Sequence, residues 1–443
     1  MATPSDEQEL CIQKILKTIE ERGQALFALI SPGGTGKSFF IKKLETFFEK
    51  GTTLETIAPT NLTAIAIDGR TIYSFCDWNV DRSVWARKGY AHDPNLQLVV
   101  ADEVGLMDAE MLEGLNTVLR RKKRNDAPFG GCSVVLVGDF LQLCAIGDTD
   151  KRRDAQPTLQ LFEAPSWDLF ELIEFKTNHR QSGDPHHQER LDRWRVGTVN
   201  TEDLQYLRDR TICTGFTNHR QVAAKMVGWC KEEDNLQSFI AAPINTSVTL
   251  FNDLVCQELN FATKVYIHLN QLSGKPLTDS LAFRIGKGAR IIMTARLYIP
   301  GRQMFPNIHN GEIGTVIDFH AVNEPSGYIE INFPRIGRSV RVPRGLPHQS
   351  FAFNMDNAYA LTIHKVQGKT LENVILDTSL ARVPTDLTEF MKPGAFYTAA
   401  SRVTKGSNFY ITELWHIKTI EELPRLILPR QDALAALAAK REI

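Results

Sequence analysis

The chain has 443 residues, 43% hydrophobic and 23% charged, a composition that excludes disordered, collagen-like and disulfide-scaffold classes. That length exceeds one ordinary core and sets an expectation of roughly three domains. A formal net charge of -1 supplies no long-range field for nucleic acid, so any such surface has to be local.

The first residues, "MATPSDEQELC", carry neither the basic flank nor the apolar core of a signal peptide. Five apolar runs follow: "ALFALI" (25–30), "TLETIAP" (53–59), "LQLVVADE" (96–103), "SVVLVGDF" (133–140) and "LIEF" (172–175). Each ends in polar residues and reads as a buried parallel strand. Between them lie helix-like stretches such as "KSFFIKKLETFFEK", with Phe40, Leu44, Phe47 and Phe48 expected on one face. The alternation predicts a doubly wound α/β domain over 1–175, whose ligands sit at the carboxyl ends of the strands. An aromatic and polar segment, 72–95, interrupts it. A second α/β domain is expected over 176–261 and 351–430, with "SFIAAPIN", "NVILD" and "NFYITEL" as strands. Inside it, "ARIIMTARLYI", "EIGTVIDFH", "GYIEINF" and "SVRVPR" read as antiparallel segments of an inserted β-rich domain, 262–350. The tail 431–443, "QDALAALAAKREI", reads as a capping helix. Seven cysteines without a C-x-x-C pair read as reduced thiols of an intracellular protein. No apolar run reaches the ~20 residues that span a bilayer, so no membrane partner is expected.

The chemistry concentrates in "SPGGTGKSFF" (31–40). Gly33, Gly34 and Gly36 let backbone N–H groups approach phosphate, Lys37 reaches the outer phosphates, and Ser38 ligates Mg²⁺ at a helix N-terminus. The loop as a whole, Pro32, Gly33, Gly34, Thr35, Gly36, Lys37, Ser38 and Phe39, is assigned to the nucleotide. Ser31 stands where a glycine usually relieves crowding. In "VVADEVGLMD", Asp102 is placed to hold Mg²⁺ through water and Glu103 to orient and deprotonate the attacking water. "VLVGDFLQL" ends another strand with Asp139, a candidate helix cap, and Gln142, a candidate γ-phosphate sensor.

In order along the chain, "SDEQ" (5–8), "APTNLTAIAIDGRTIYSF" (58–75), "DAEMLEGLNTVLRRKKRNDAPFGGCSVVLVGDFLQL" (108–143), "NHRQ" (178–181), "HNGEIGTV" (309–316), "ALTIHKVQGKTLENV" (360–374) and "FYTAASRV" (396–403) resemble the motifs of superfamily one helicases. The likeness is strongest to the petite-integration-frequency (PIF) family in the RecD-like branch. Departures are Ser31, the Ala399-Ala400 pair, and "LCAI" (143–146) in place of two prolines after the Gln-Leu. The resemblance implies two RecA-like P-loop domains, a small wedge insertion in the first and an SH3-like β domain in the second. It implies Gln8 as adenine reader, Arg180 and Arg402 as arginine fingers from the second domain, and Gln367 as a link between nucleotide and DNA.

For a single-stranded track, Pro59, Thr60, Asn61, Ser74 and Phe75 are expected in the first domain, and Asn245, Thr362, His364 and Lys365 in the second. Hydroxyls, amides and a lysine suit sequence-independent phosphate contacts, and Phe75 suits base stacking. Core packing is the alternative for Phe75, a turn for Asn245, and a structural role for His364. Trp78 and Trp85 either line a wedge or pack. The run "RRKKR" (120–124) reads as a solvated helix face, and His179, His186 and His187 lack the partners of a metal site.

The implied activity is an ATP-dependent 5′-to-3′ DNA helicase, hydrolysing ATP between two RecA-like domains and acting as a monomer. Its implied partners are single-stranded DNA, DNA forks, and a single-strand binding protein or replication proteins. A viral-type RNA helicase and a nucleotide-regulated single-strand binding protein are the competing readings.

Overall fold

The computed structural model describes residues 4–78, 90–144, 158–213, 218–232, 236–261, 263–266, 282–297, 308–322, 324, 326–344, 353–379 and 391–441. The chain divides into two units. Unit 1 comprises 1–198, 393–401 and 427–443, and unit 2 the intervening residues 199–392 and 402–426. The first unit therefore runs past the boundary expected after 175. It also takes back 393–401, expected in the second domain, and 427–443, of which 431–443 was expected as a separate capping helix.

Unit 1 is built on β1 (Leu26–Ile30), β2 (Leu54–Ala58), β3 (Arg70–Thr71), β4 (Leu98–Ala101), β5 (Ser133–Gly138) and β6 (Glu171–Ile173). They form one parallel sheet in the order β3-β2-β4-β5-β1-β6. Strand periodicity sends alternate side chains to opposite faces, so each apolar run serves two cores. Phe27 and Leu29 pack under α1 (Asp6–Arg22) and α2 (Lys37–Glu45). Ala28 and Ile30 share the other core with Leu112, Leu115 and Leu119 of α5 (Ala109–Lys123) and with Ala433 and Leu437 of the Gln431–Arg441 helix. The helix after the phosphate loop is shorter than its pattern suggested. It ends at Glu45, leaving Phe47 exposed while Phe40 and Leu44 are buried.

Among its described residues unit 2 holds a four-stranded parallel sheet, a five-stranded antiparallel sheet and an antiparallel pair, Thr263–Tyr266 with Ala282–Ile285. The parallel sheet is β15-β7-β16-β17, made of Ser238–Ala242 (β7), Ala360–Thr362 (β15), Asn373–Leu376 (β16) and Phe409–Ile411 (β17). The antiparallel sheet contains Arg290–Met293, Ile313–His320, Tyr328–Phe333, Arg338–Pro343 and Met355–Asn357. Its last strand lies beyond the expected limit at 350. Asn252 of the Asn245–Glu258 helix joins the two sheets. Its Nδ2 donates to the carbonyls of Asn357 and Ala360, and its Oδ1 accepts from the N–H groups of Tyr359 and Ala360. Four bonds exhaust the amide. Among the described residues no helix is long and apolar enough to cross a membrane.

Candidate nucleotide site and nucleic-acid interface

β1 delivers the chain to Ser31, whose N–H donates to Gly138 O at 3.0 Å. Its buried hydroxyl accepts the N–H of Phe175 at 2.7 Å. The serine thus fastens the strand exit to the segment after β6, a bond that glycine could not make. Gly34 and Gly36 follow with φ +92° and +80°, the left-handed region that glycine enters without steric cost. A Cβ on Gly34 would lie 2.7 Å from Asn178 Oδ1, and one on Gly36 2.4 Å from Gln8 Nε2. Lys37 opens α2 and folds its ammonium onto the carbonyls of Ser31 and Pro32 at 2.8 and 2.7 Å. Burial lowers its pKa to about 8 against the opposing pull of Asp139, Glu103 and Asp102. Thr35 bonds back to Pro32 O, Ser38 is exposed in the first turn, and Phe39 lies under the ammonium of Lys43.

Asp102 follows β4, and β5 separates β4 from β1. Two strand spacings put the carboxylates about 10 Å from the loop strand, leaving the interval that outer phosphates and a water need. Asp102 is buried and accepts the N–H of Glu103 at 2.9 Å. Burial first, and the Glu103 carboxylate second, push its pKa upward. Glu103 itself has φ 52° and ψ 41°, a left-handed conformation costly for a residue with a Cβ.

Asp139, at the end of β5, does more than cap a helix. It accepts from Arg195 at 3.0 Å, Leu141 N at 3.1 Å, Gln142 Nε2 at 3.2 Å and the Tyr397 hydroxyl at 3.2 Å. Burial would raise its pKa, but Arg195, Lys37 and the N–H donors outweigh it and hold the carboxyl below its usual range. Gln142 is buried with its amide nitrogen held by Asp139.

The "NHRQ" segment lies across the phosphate loop within unit 1. The N–H groups of His179 and Arg180 both donate to Gly34 O, and Asn178 Nδ2 donates to Gly33 O. Arg180 is therefore not a residue of the second unit, as expected, because the chain leaves β6 straight over the loop. Its guanidinium donates to Ser401 O at 2.9 Å. Glu7 fixes the same segment by accepting from the N–H groups of Lys176 and Thr177. The neighbouring Gln8 is buried, with Nε2 on the carbonyls of Thr35 and Gly36 and Oε1 on Ser5 N. His187 is buried against Ala400 O, while His186 is exposed beside Glu189.

Arg402 and Gln367 belong to unit 2 and are buried. The Arg402 carbonyl accepts from Leu371 N, and Gln367 caps the short Ile363–Val366 helix through its N–H.

The track residues gather at two carboxyl edges. Pro59, Thr60 and Asn61 follow β2, and Ser74 follows its neighbour β3; Thr60, Asn61 and Ser74 are exposed. The Thr60 hydroxyl already caps the Asn61–Ala66 helix by accepting from Thr63 N. In unit 2, Asn245 follows β7, and Thr362, His364 and Lys365 end or follow the adjacent β15. Phe75 corrects the expectation of base stacking. It is 1% exposed within the core, and Arg70 and Lys122 lie over its ring. An aromatic side chain that fully buried gains more from apolar contacts than an exposed base platform would. Trp78 is likewise buried, edge-on to Tyr73; Trp85 lies outside the described residues. The basic run is only partly solvated, since Lys123 bonds Pro94 O and Leu96 O.

Sequence reasoning missed the Ala395–Ala400 helix as part of this site. Tyr397 Oη accepts Gly33 N–H at 3.0 Å, and Thr398 Oγ1 accepts Leu143 N at 3.0 Å. The signal was present in "FYTAASRV", of which only Arg402 was used. Arg195 gave no signal beyond a polar helix.

A phosphate loop one strand removed from a carboxylate pair is the arrangement of RecA-like P-loop domains, and "GDFLQL" begins at the end of the strand between them. Residues 4–196 match the model of the PIF1-like helicase family. The ATP-dependent DNA helicase PIF1 of Emericella nidulans is 24% identical over 93% of this chain and 62% of its own length. The protein of the same name from Danio rerio is 24% identical over 97% and 65%. The chain thus spans less than two thirds of the length of either relative. A crystal structure of Bacteroides Pif1 helicase in complex with ADP-AlF3 and ssDNA shares the fold. Its TM-score is 0.71 and its identity 20%, over 100% of this chain and 98% of that one. Over residues 4–196 the chain thus resembles the PIF1-like helicases, and its fold is that of the Bacteroides Pif1 structure.

Proposed function

We propose that the protein is an ATP-dependent DNA helicase that moves 5′ to 3′ on single-stranded DNA and unwinds duplexes. The observation that carries this reading is Lys37 in the phosphate loop with Asp102 and left-handed Glu103 across one intervening strand. The relatives' description as ATP-dependent DNA helicases and the ssDNA complex of the Bacteroides protein support it. In this reading Gly33, Gly34 and Gly36 grip the phosphates through backbone N–H groups, and Lys37 leaves the loop carbonyls for the outer phosphates. Glu103 takes the proton of the attacking water, and Gln142 senses the γ-phosphate. Arg180 and Arg402 meet the charge that spreads over the equatorial oxygens. Gln8 reads the base by exchanging its loop carbonyls for adenine.

The donor set fits Mg²⁺, since the Ser38 hydroxyl and Asp102 carboxylate are hard oxygens and Asp102 is a buried charge in need of compensation. When bound, the ion would neutralise phosphate charge. Single-stranded DNA runs along the exposed Thr60, Asn61 and Ser74 and along Asn245, Thr362, His364 and Lys365. Forked DNA and a single-strand binding protein are the partners in this proposal, and the acting species is a monomer.

The test is unwinding of duplexes tailed with a 5′ or a 3′ single strand, in DNA and in RNA. ATP-dependent opening of the 5′-tailed DNA alone is the expected result. Lys37→Ala should lose turnover yet keep single-strand affinity within about threefold, because the track residues lie on other loops. Opening of the 3′-tailed duplex, or preference for RNA, overturns the reading.

A further inference from the structure

We infer that Tyr397 is a positioning residue of the ATPase site, through which the phosphate loop and the γ-phosphate-sensing loop are set by one atom. The inference rests on the ATPase reading above and adds to it a residue with no place in the mechanism so far. The Tyr397 hydroxyl accepts the N–H of Gly33 at 3.0 Å and donates to Asp139 Oδ2 at 3.2 Å. Both groups are buried, so neither bond exchanges freely with water. Asp139 in turn holds the Gln142 amide at 3.2 Å and Leu141 N at 3.1 Å. Arg195 and Lys37 keep that carboxyl ionised despite its burial, so it remains an acceptor. The Gly33 N–H of the phosphate loop and the side-chain amide of Gln142 are therefore three hydrogen bonds apart, through one phenol and one carboxylate.

The helix that carries the phenol is fitted to the same loop at two further points and to the Pro185–Arg195 helix at a third. Gly394 has φ +82°, and a Cβ there would stand 2.7 Å from Leu141 O and 2.8 Å from Gln142 O. Thr398 Oγ1 accepts Leu143 N at 3.0 Å and donates to Gly394 O at 2.7 Å. The ring of Phe396 packs edge-on against Trp194, one residue before Arg195. These contacts leave Tyr397 little freedom except where it meets Gly33 and Asp139. The phenol does not touch the reacting atoms; it acts through the groups that do.

The experiment measures kcat and KM for ATP in the full chain, with saturating single-stranded DNA, for wild type, Tyr397→Phe, Gln142→Ala and the double variant. Tyr397→Phe should lower kcat about tenfold with KM within about threefold, since the loop's other donors and Lys37 remain. In the Gln142→Ala background the same change should cost less than about twofold, because the group it positions is gone. Losses that multiply in the double variant, or a raised KM with unchanged kcat, overturn the inference. Amide exchange at Gly33 in the wild type is an arm that needs no variant: protection supports the Tyr397 contact, and exchange as fast as in an open loop overturns it. Lys37→Ala in the same assay separates the two failures. A wild type without turnover sinks the ATPase reading, whereas turnover that Lys37→Ala removes leaves only Tyr397 in question.

Discussion

Glu103 carries its proposed general-base role on a left-handed backbone, a strain of the kind that gathers at functional sites. Glycine would relieve the backbone cost, so Glu103→Gly should stabilise unit 1 by about 1 kcal/mol, raising Tm by about 2–4 °C, while hydrolysis is lost. Glu103→Gln should keep ATP affinity and lower turnover by about two to four decades, the range for a missing general base. Collapse of ATP affinity in the glutamine variant would make Glu103 a structural residue. Ser31 gives the opposite case, a departure from the usual loop that the structure explains. Restoring the glycine leaves the buried N–H of Phe175 without its acceptor. Ser31→Gly should therefore cost about 1–3 kcal/mol in denaturant unfolding. Its turnover should change little, because the backbone groups of residue 31 persist. An unchanged midpoint would show that the hydroxyl bond contributes nothing.

At the scale of elements, Phe75 belongs to the core rather than to a base platform. It ends the short Ile72–Phe75 helix and is buried among Ile57, Val99 and Met111 in the same core. Phe75→Ala should cost about 3–5 kcal/mol, the usual penalty for emptying an aromatic site in a core, and lower basal ATPase activity through unfolding. A stable variant that loses only single-strand affinity would restore the stacking role. The sequence showed most parallel strands of both units, because strands buried on both faces read as continuous apolar runs; the short Arg70–Thr71 and Ala360–Thr362 strands carry no such run. The placing of 31–38 after β1 and of Asp102 and Glu103 after β4 was legible too, since each motif directly follows an apolar strand. Illegible features were those set by distant packing. Nothing local tells that α2 ends before Phe47, that Arg180 stays with the first unit, or that residues 393–401 return to it. Phe75 misled because an aromatic at a loop has the same composition whether it faces a base or a core.

For the whole molecule, charge and protonation set the working conditions. His187 is buried, and burial lowers its pKa to about 4 from an ordinary 6.5. The unfolded chain binds this proton more readily, so stability is full above pH 6.5 and falls as pH drops toward 4. The loss should reach about 2 kcal/mol at pH 5. His187→Gln should flatten that part of the stability curve, measured as urea midpoints at pH 7 and pH 5; an equal slope in both proteins would place the acid sensitivity elsewhere. With a net charge of -1 and Lys365 as the one lysine on the proposed track, single-strand binding should depend weakly on salt. Lys365→Ala should reduce the slope of log K against log salt by about 0.7. No change in slope would remove Lys365 from the track.

Unit 1 is completed by residues 393–401 and 427–443, after the whole of residues 199–392 has intervened. On a ribosome adding about 5–20 residues per second, residue 198 precedes residue 401 by about 10–40 s. Through that interval the nascent chain holds the phosphate loop and the carboxylate pair, but neither Tyr397 nor the helix that shapes the Gln142 loop. The order of synthesis thus withholds a finished site from partial chains. A ribosome-released fragment ending at residue 392 should lack competent turnover even where its sheet has formed.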